Sequence, residues 1–341
     1  MRIPSIKIIA VLLPLGFFFA GCNKSQQDNQ ATTAPAAANP ITIAVIPKGT
    51  IHEYWKTVDA GAQQAAKESG AQIIWKGPLK EDDRDAQIAV VDDFVSRGVS
   101  GIVLAPLDKS ALRIPVESAM RASIPVVIFD SGLDGKAGTD YVSFIATDNF
   151  KGGQIAGEYM AKILGDHGSV VVLRYAIGSD STTQREDGFL DAIAKHPGIK
   201  VLSSNQYAGV TTDSAMSAGE DMINRFKKPD GSLAFDGIFC ATEPTTFGML
   251  RALDGAGQAG KIKFVGFDSS AKMIEALQAG QLSGFVVQNP YRIGYLAVKT
   301  MVAHLKGQPV ETRIDTGATL ITGENIHRPD IDTLLHPKLN D

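Results

Sequence analysis

About ten times in this chain a short apolar run ends in a polar residue, and a stretch with helical periodicity follows. ITIAVIP leads into Lys48, PVVIF into Asp130, GIFCA into Thr242 and Glu243, KFVGF into Asp268, and SGFVV into Gln288. Short Val/Ile-rich runs alternating with helical patterns mean parallel strands joined by crossover helices. In open sheets of that kind, ligands sit just beyond the carboxyl ends of the strands. The polar residues that break these runs therefore stand where a small molecule would be held.

The runs predict strands near 41–47, 71–76, 101–106, 125–130, 141–147, 169–175, 200–207, 237–242, 262–268 and 283–288. A first helix, from about His52 to Ser69, carries an apolar stripe at Trp55, Val58, Ala62 and Ala65, with Gly70 as its stop. A second, from about Asp83 to Arg97, turns Ile88, Val91 and Val95 inward. Asp148 or Asn149 caps a helix that buries Ile155, Met160 and Ile163. After Gln288 come another helix (Tyr291 to Leu305) and an extended stretch from Arg313 to Thr322. The fold expected is α/β: two doubly wound parallel-sheet lobes, with the chain returning to the first lobe after finishing the second.

The first residues read as an address. Arg2 and Lys7 form a basic region, Ile8 to Phe19 an apolar core, and Phe19-Ala20-Gly21-Cys22 ends in small residues and a cysteine. The apolar run is shorter than the roughly 20 residues that a spanning helix needs, so an export signal is expected. Its last four residues resemble the lipobox of bacterial lipoproteins, which implies residues 1–22 as a lipoprotein signal and Cys22 as the lipid-bearing residue. The Gln, Asn, Thr, Ala and Pro of residues 23–40 read as a flexible tether. The remaining length suits two lobes rather than one core.

Formal charge is −4, with no basic patch or arginine run, so nucleic acid is not an expected partner. The six histidines are scattered and never paired at i, i+4, so neither a metal site nor a cofactor is expected. Gly255-Ala256-Gly257-Gln258-Ala259-Gly260 fits a dinucleotide fingerprint, but it follows a helix and precedes a strand, the reverse of a phosphate loop. Cys240, inside GIFCA, reads as a small core residue. Asp130 and Asp268 suit two chemistries: paired catalytic carboxylates, as in glycoside hydrolysis, or acceptors for ligand hydroxyls.

DAGAQQAAKESG, VVDDFVSRGVSGIVLAPLDKSAL, IPVVIFDS, ATDNFKGGQIAGEYM, REDGF, TFGMLRAL, VGFDSS and VVQNPYRIGYLAV together resemble the periplasmic sugar-binding proteins of the ribose-binding type. The resemblance implies a periplasmic-binding-protein-like fold with a three-crossing hinge. It divides the chain into one lobe of residues 41–147 with 289–315 and another of 148–288 with 316–341. It also implies ligand contacts at Asp130, Arg185, Asp268 and Gln288. His52, Tyr54 and Trp55 occupy the first-helix entrance, where aromatic faces suit the C–H faces of a sugar ring. Trp55 also begins the buried stripe, so it reads equally as core. Ser131 replaces a frequent arginine, and Thr242-Glu243 replaces Asn-Asp or Asn-Glu. Pro47-Lys48-Gly49 and Gly77-Pro78 resemble relatives that bind rhamnose or a furanosyl signal, which makes Lys48 a further contact. Arg185 has a second reading, as a surface ion pair with Glu186 or Asp187.

The function so implied is the monosaccharide-binding component of an ABC-type importer. It would be a monomer that delivers its ligand to an inner-membrane permease and touches the membrane only through its lipid. The alternatives are a sensory lipoprotein serving a chemoreceptor or sensor kinase, and a glycoside-processing enzyme.

Overall fold

The computed structural model describes residues 40–336. The expected signal (1–22), lipidation at Cys22 and the tether up to residue 39 lie outside the described residues. Strands and helices alternate from the start: β1 (Thr42–Ile46), α1 (Glu53–Ser69), β2 (Gln72–Trp75), α2 (Arg84–Ser96), β3 (Gly101–Leu104), α3 (Arg113–Arg121), β4 (Val126–Phe129) and β5 (Ser143–Ala146). Then follow α4 (Asn149–Leu164), β6 (Gly168–Arg174), α5 (Asp180–Ile193), β7 (Ile199–Tyr207), α6 (Thr212–Phe226), β8 (Gly237–Cys240), α7 (Glu243–Gly255), β9 (Lys263–Phe267), α8 (Ala271–Gln278) and β10 (Gly284–Val287). The chain closes with α9 (Pro290–Leu305), β11 (Arg313–Asp315), β12 (Thr319–Ile321) and α10 (Pro329–Leu335).

Two six-stranded sheets result, ordered β11-β5-β4-β3-β1-β2 and β12-β10-β9-β8-β6-β7. The two orders are the same doubly wound pattern, each reversing direction beside its first strand. Pairing is parallel except at β12, which runs antiparallel to β10. Each sheet is buried on both faces: Ile43 and Val45 join one core of the first sheet, Ala44 and Ile46 the other. Burial on two faces is why the strands read as unbroken apolar runs. Cys240 is fully buried in the second lobe's core.

The chain passes between the sheets three times: from β5 into α4, from β10 into α9, and from β11 to β12. Thr147 ties these crossings together. Its hydroxyl lies 3.1 Å from Gln288 Oε1, 3.3 Å from Thr316 Oγ1 and 3.2 Å from the Gly317 carbonyl.

Two inward faces include the expected residues but are centred on others. Helix α2 buries Gln87, Val90, Val91 and Phe94, leaving Ile88 and Val95 half-buried. Gln87 is drawn in by three hydrogen bonds: its amide donates to the Pro47 and Ala105 carbonyls and its oxygen accepts from Leu107 N–H. Helix α4 buries Gly152, Gly153, Ala156, Gly157, Met160 and Ala161, while Ile155 and Ile163 are half-buried. Small residues win that face because α5 packs against it backbone to backbone: a Cβ on Gly153 would sit 2.0 Å from the Arg185 carbonyl oxygen. The first lobe repeats the device, with Gly61 of α1 against the Tyr291 carbonyl and Gly294 of α9 against that of Val58.

Candidate functional site

The carboxyl ends of both sheets face one another across a cleft. Between them lies a half-open pocket with about 410 Å³ of space not filled by atoms, the solvent at its mouth included. Ten expected residues line it: Lys48, His52, Tyr54, Trp55, Asp130, Arg185, Thr242, Glu243, Asp268 and Gln288. Lys48 follows β1, and Thr242 and Glu243 follow β8, so both groups stand where strand order reverses.

Asp130 and Asp268 are counterparts. Each follows a Phe at the end of its strand, in β4 and β9, and each has left-handed backbone, with φ of 63° and 64°. Aspartate tolerates that region better than most residues, but at some cost, and such strain concentrates where a side chain must be aimed. The Tyr54 hydroxyl donates to Asp130 at 2.6 Å, and the Gln288 amide donates to Asp268 at 2.8 Å.

Cations complete the pattern. Lys48 Nζ stands 3.7 Å from Asp130 and donates to Ser179 and Ser181 of the opposite lobe at 3.1 and 3.0 Å. Arg185 is 2% exposed. It stands 3.5 Å from Asp268, lies 3.9 Å over the Phe267 ring, and donates to Asn149 Oδ1 and the Ala241 carbonyl. Its surface ion-pair reading is overturned, since Glu186 and Asp187 are paired with Arg174 instead, at 2.8 and 3.3 Å. Burial pushes the Asp268 carboxyl up, while Arg185 and Gln288 pull it back. Burial likewise raises Glu243, against the pull of His52.

Other expected residues have different placements. Ser131 is buried but does not line the cavity; its hydroxyl accepts the Ser181 N–H across the cleft. Thr242 lines the cavity while its hydroxyl caps α7, bonded to Thr245. Trp55 is both wall and core, with its N–H held by Glu81. Asn149 does more than begin a helix: Asp148 is the cap, and Asn149 orients Arg185. Sequence reasoning missed Glu81, Tyr175, Ser181 and Thr182 in the lining. Tyr175 stands one residue past β6 and obeys the strand-end rule, but an aromatic does not visibly interrupt an apolar run.

Glu186 supports this wall from behind. Its carboxylate accepts the Tyr175 N–H at 2.8 Å and pairs with Arg174. Burial pushes it from an ordinary 4.5 up to about 7, against the pull of both partners. A carboxyl raised in this way holds its proton more tightly folded than unfolded. Its contribution to stability is therefore complete below about 4.5 and lost as pH rises through about 7, a few kcal/mol in all. Melting temperatures across that window should fall more steeply for the parent than for Glu186→Gln. Equal slopes would contradict the assignment.

A sequence profile described as a periplasmic binding protein domain matches residues 43–309, and the chain belongs to that family. It is 30% identical over 292 residues to the ribose import binding protein RbsB of Haemophilus influenzae, covering 86% of this chain and 94% of that one. An ABC transporter solute binding protein of Agrobacterium vitis with bound D-fucose is 35% identical, with a TM-score of 0.82 over 86% of this chain and 100% of its own. A carbohydrate transporter solute binding protein of Agrobacterium radiobacter, in complex with D-arabinose, is 34% identical, with a TM-score of 0.81 over 87% and 99%.

Proposed function

We propose that this chain is the solute-binding component of an ABC-type sugar importer, capturing a monosaccharide or similar small polyol between its lobes. The observation that carries the reading is the convergence of Asp130, Asp268 and Arg185, one strand-end carboxylate from each lobe, on a single cavity. Ionised carboxylates accept two or more hydroxyl hydrogen bonds, and a guanidinium donates in a fixed fork, which is the chemistry a polyol asks for. A ligand reaching both lobes favours the closed form, because only that form offers both sets of partners. Micromolar binding needs about −8 kcal/mol, within reach of several charge-assisted hydrogen bonds and one aromatic face.

Relatives named for import support transport over sensing. Asp130 and Asp268 act here as acceptors rather than as acid and base: each already holds a protein donor, and the relatives the chain resembles are binding proteins. The closed protein would dock, as a monomer, on a permease of the inner membrane. Cys22 carries a lipid that holds it in the periplasm or at the cell surface, behind the tether over residues 23–40.

A thermal-shift screen of pentoses, hexoses, deoxysugars and polyols tests the binding reading. Ligand at about 100 times its Kd adds about 2.7 kcal/mol to apparent stability, enough for a melting rise of several degrees. No shift with any member would sink the sugar assignment. Membrane fractionation of Cys22→Ser checks the anchor, with release to the soluble fraction expected.

A further inference from the structure

Glu81 ends no strand. It lies in the loop between β2 and α2, and its carboxylate enters the cavity from the first lobe. Oε1 accepts the Trp55 indole N–H at 2.7 Å, within that lobe. Oε2 accepts the Tyr175 hydroxyl at 3.0 Å, from the other lobe. The Glu81 side chain is 11% exposed, with Cγ packed so closely on Gly49 that a Cβ there would come within 2.9 Å. Tyr175 is just as fixed: it is 2% exposed, and its N–H is held by Glu186. One carboxylate thus touches a buried aromatic of each lobe.

Its hydrogen-bonding capacity is not used up. An ionised carboxylate offers about four acceptor positions, and these two bonds fill two. The fixed cations of the cavity, Lys48 and Arg185, stand at Asp130 and Asp268 instead. His52 Nε2 stands 3.9 Å from Oε1 and has no hydrogen-bond partner. A carboxylate this buried, with Lys48 and Arg185 committed to other acids, is costly unless hydroxyl or N–H donors surround it. Because Tyr175 belongs to the other lobe, its bond to Glu81 exists only while the two lobes are together.

We propose that Glu81 is a specificity-determining residue that also reports closure: it accepts a ligand hydroxyl while receiving the Tyr175 hydroxyl from the opposite lobe. The ligand is then a polyol with a free hydroxyl at the Trp55 edge of the cavity. Analogues lacking that hydroxyl are refused, because they leave a buried acceptor unpaired. This rests on the sugar-binding reading and adds to it the group that selects among sugars.

Trp55 and Trp75 are the two tryptophans, so Trp75→Phe leaves Trp55 as the single indole reporter. In that background, and without sugar, Glu81→Gln is expected to shift Trp55 emission, because the indole N–H changes its acceptor. An unchanged spectrum overturns the placement of Glu81. Calorimetry then uses D-ribose, D-arabinose and D-fucose as probes. Glu81→Gln should weaken the tightest-bound of the three about tenfold or more and reorder the set. Tyr175→Phe, which removes only the bond across the cleft, should weaken all three by about threefold through faster dissociation. Both variants within about twofold of the parent for every probe would overturn the inference. If the parent binds none of the three, the same comparison is made with the members of the thermal-shift set that it does bind; binding to no member sinks the sugar reading and takes the ligand half of this proposal with it. The emission result would still decide whether Glu81 holds Trp55.

Discussion

Arg185→Ala is expected to abolish measurable sugar binding and to cost about 3–5 kcal/mol of stability, the usual penalty for stranding one partner of a buried ion pair. Arg185 has four partners: the Asp268 carboxylate, Asn149 Oδ1, the Ala241 carbonyl and the Phe267 ring. Truncation leaves Asp268, whose side chain is 11% exposed, with Gln288 as its main donor. Burial already raises Asp268 and Arg185 lowers it, so the variant should suffer least at acid pH, where that carboxyl takes up a proton. Lysine should not rescue the site, since an ammonium cannot both lie flat on Phe267 and donate along two directions. Urea unfolding and calorimetry read the two effects separately. Affinity within about threefold of the parent would remove Arg185 from the binding residues.

Gly153→Ala carries the second-largest expected effect. Its Cβ would meet the Arg185 carbonyl oxygen at 2.0 Å and the carbonyl carbon at 2.8 Å. Both are backbone atoms, so no rotamer change relieves the contact, and α4 and α5 must move apart. Overpacking of this kind costs about 3 kcal/mol or more, the upper end for a single added methyl. The clash falls on the residue that supplies the cleft's guanidinium, so affinity should drop even where the variant still folds. Gly255→Ala is the control: nothing lies within 4 Å of its Cβ position, and its stability should stay within about 0.5 kcal/mol of the parent. Equal melting of the two variants would show that the helix pair gives way easily.

Much of this architecture was legible because two-sided burial writes parallel strands as unbroken apolar runs, and their interruption marks the strand end. Asp130, Thr242, Asp268 and Gln288 could be found by that rule alone. Arg185 could not: on α5 it stands beside Glu186 and Asp187, and local spacing favours a surface pair as readily as a ligand contact. The resemblance singled it out, and Arg174, at the end of β6, explains why the neighbouring acids pair elsewhere. Glu81 and Gln87 left no trace in the pattern, since each is recruited by groups far along the chain. The centre of the buried face of α4 was missed for a related reason, although Met160 is buried as expected. Hydrophobicity scales reward Ile155 and Ile163, whereas close helix approach rewards the absence of a side chain. The antiparallel direction of β12 is set by a tertiary return that composition does not encode.

The borrowed strand β11 and helix α9 have a further consequence during synthesis. The amino-terminal sheet cannot acquire its last strand until residue 315 has left the ribosome, by which time the other lobe's first five strands already exist. Contacts spanning so much sequence form late and slowly. A nascent chain built this way stays unfinished for most of its translation, the condition in which a polypeptide can still be threaded through a narrow channel.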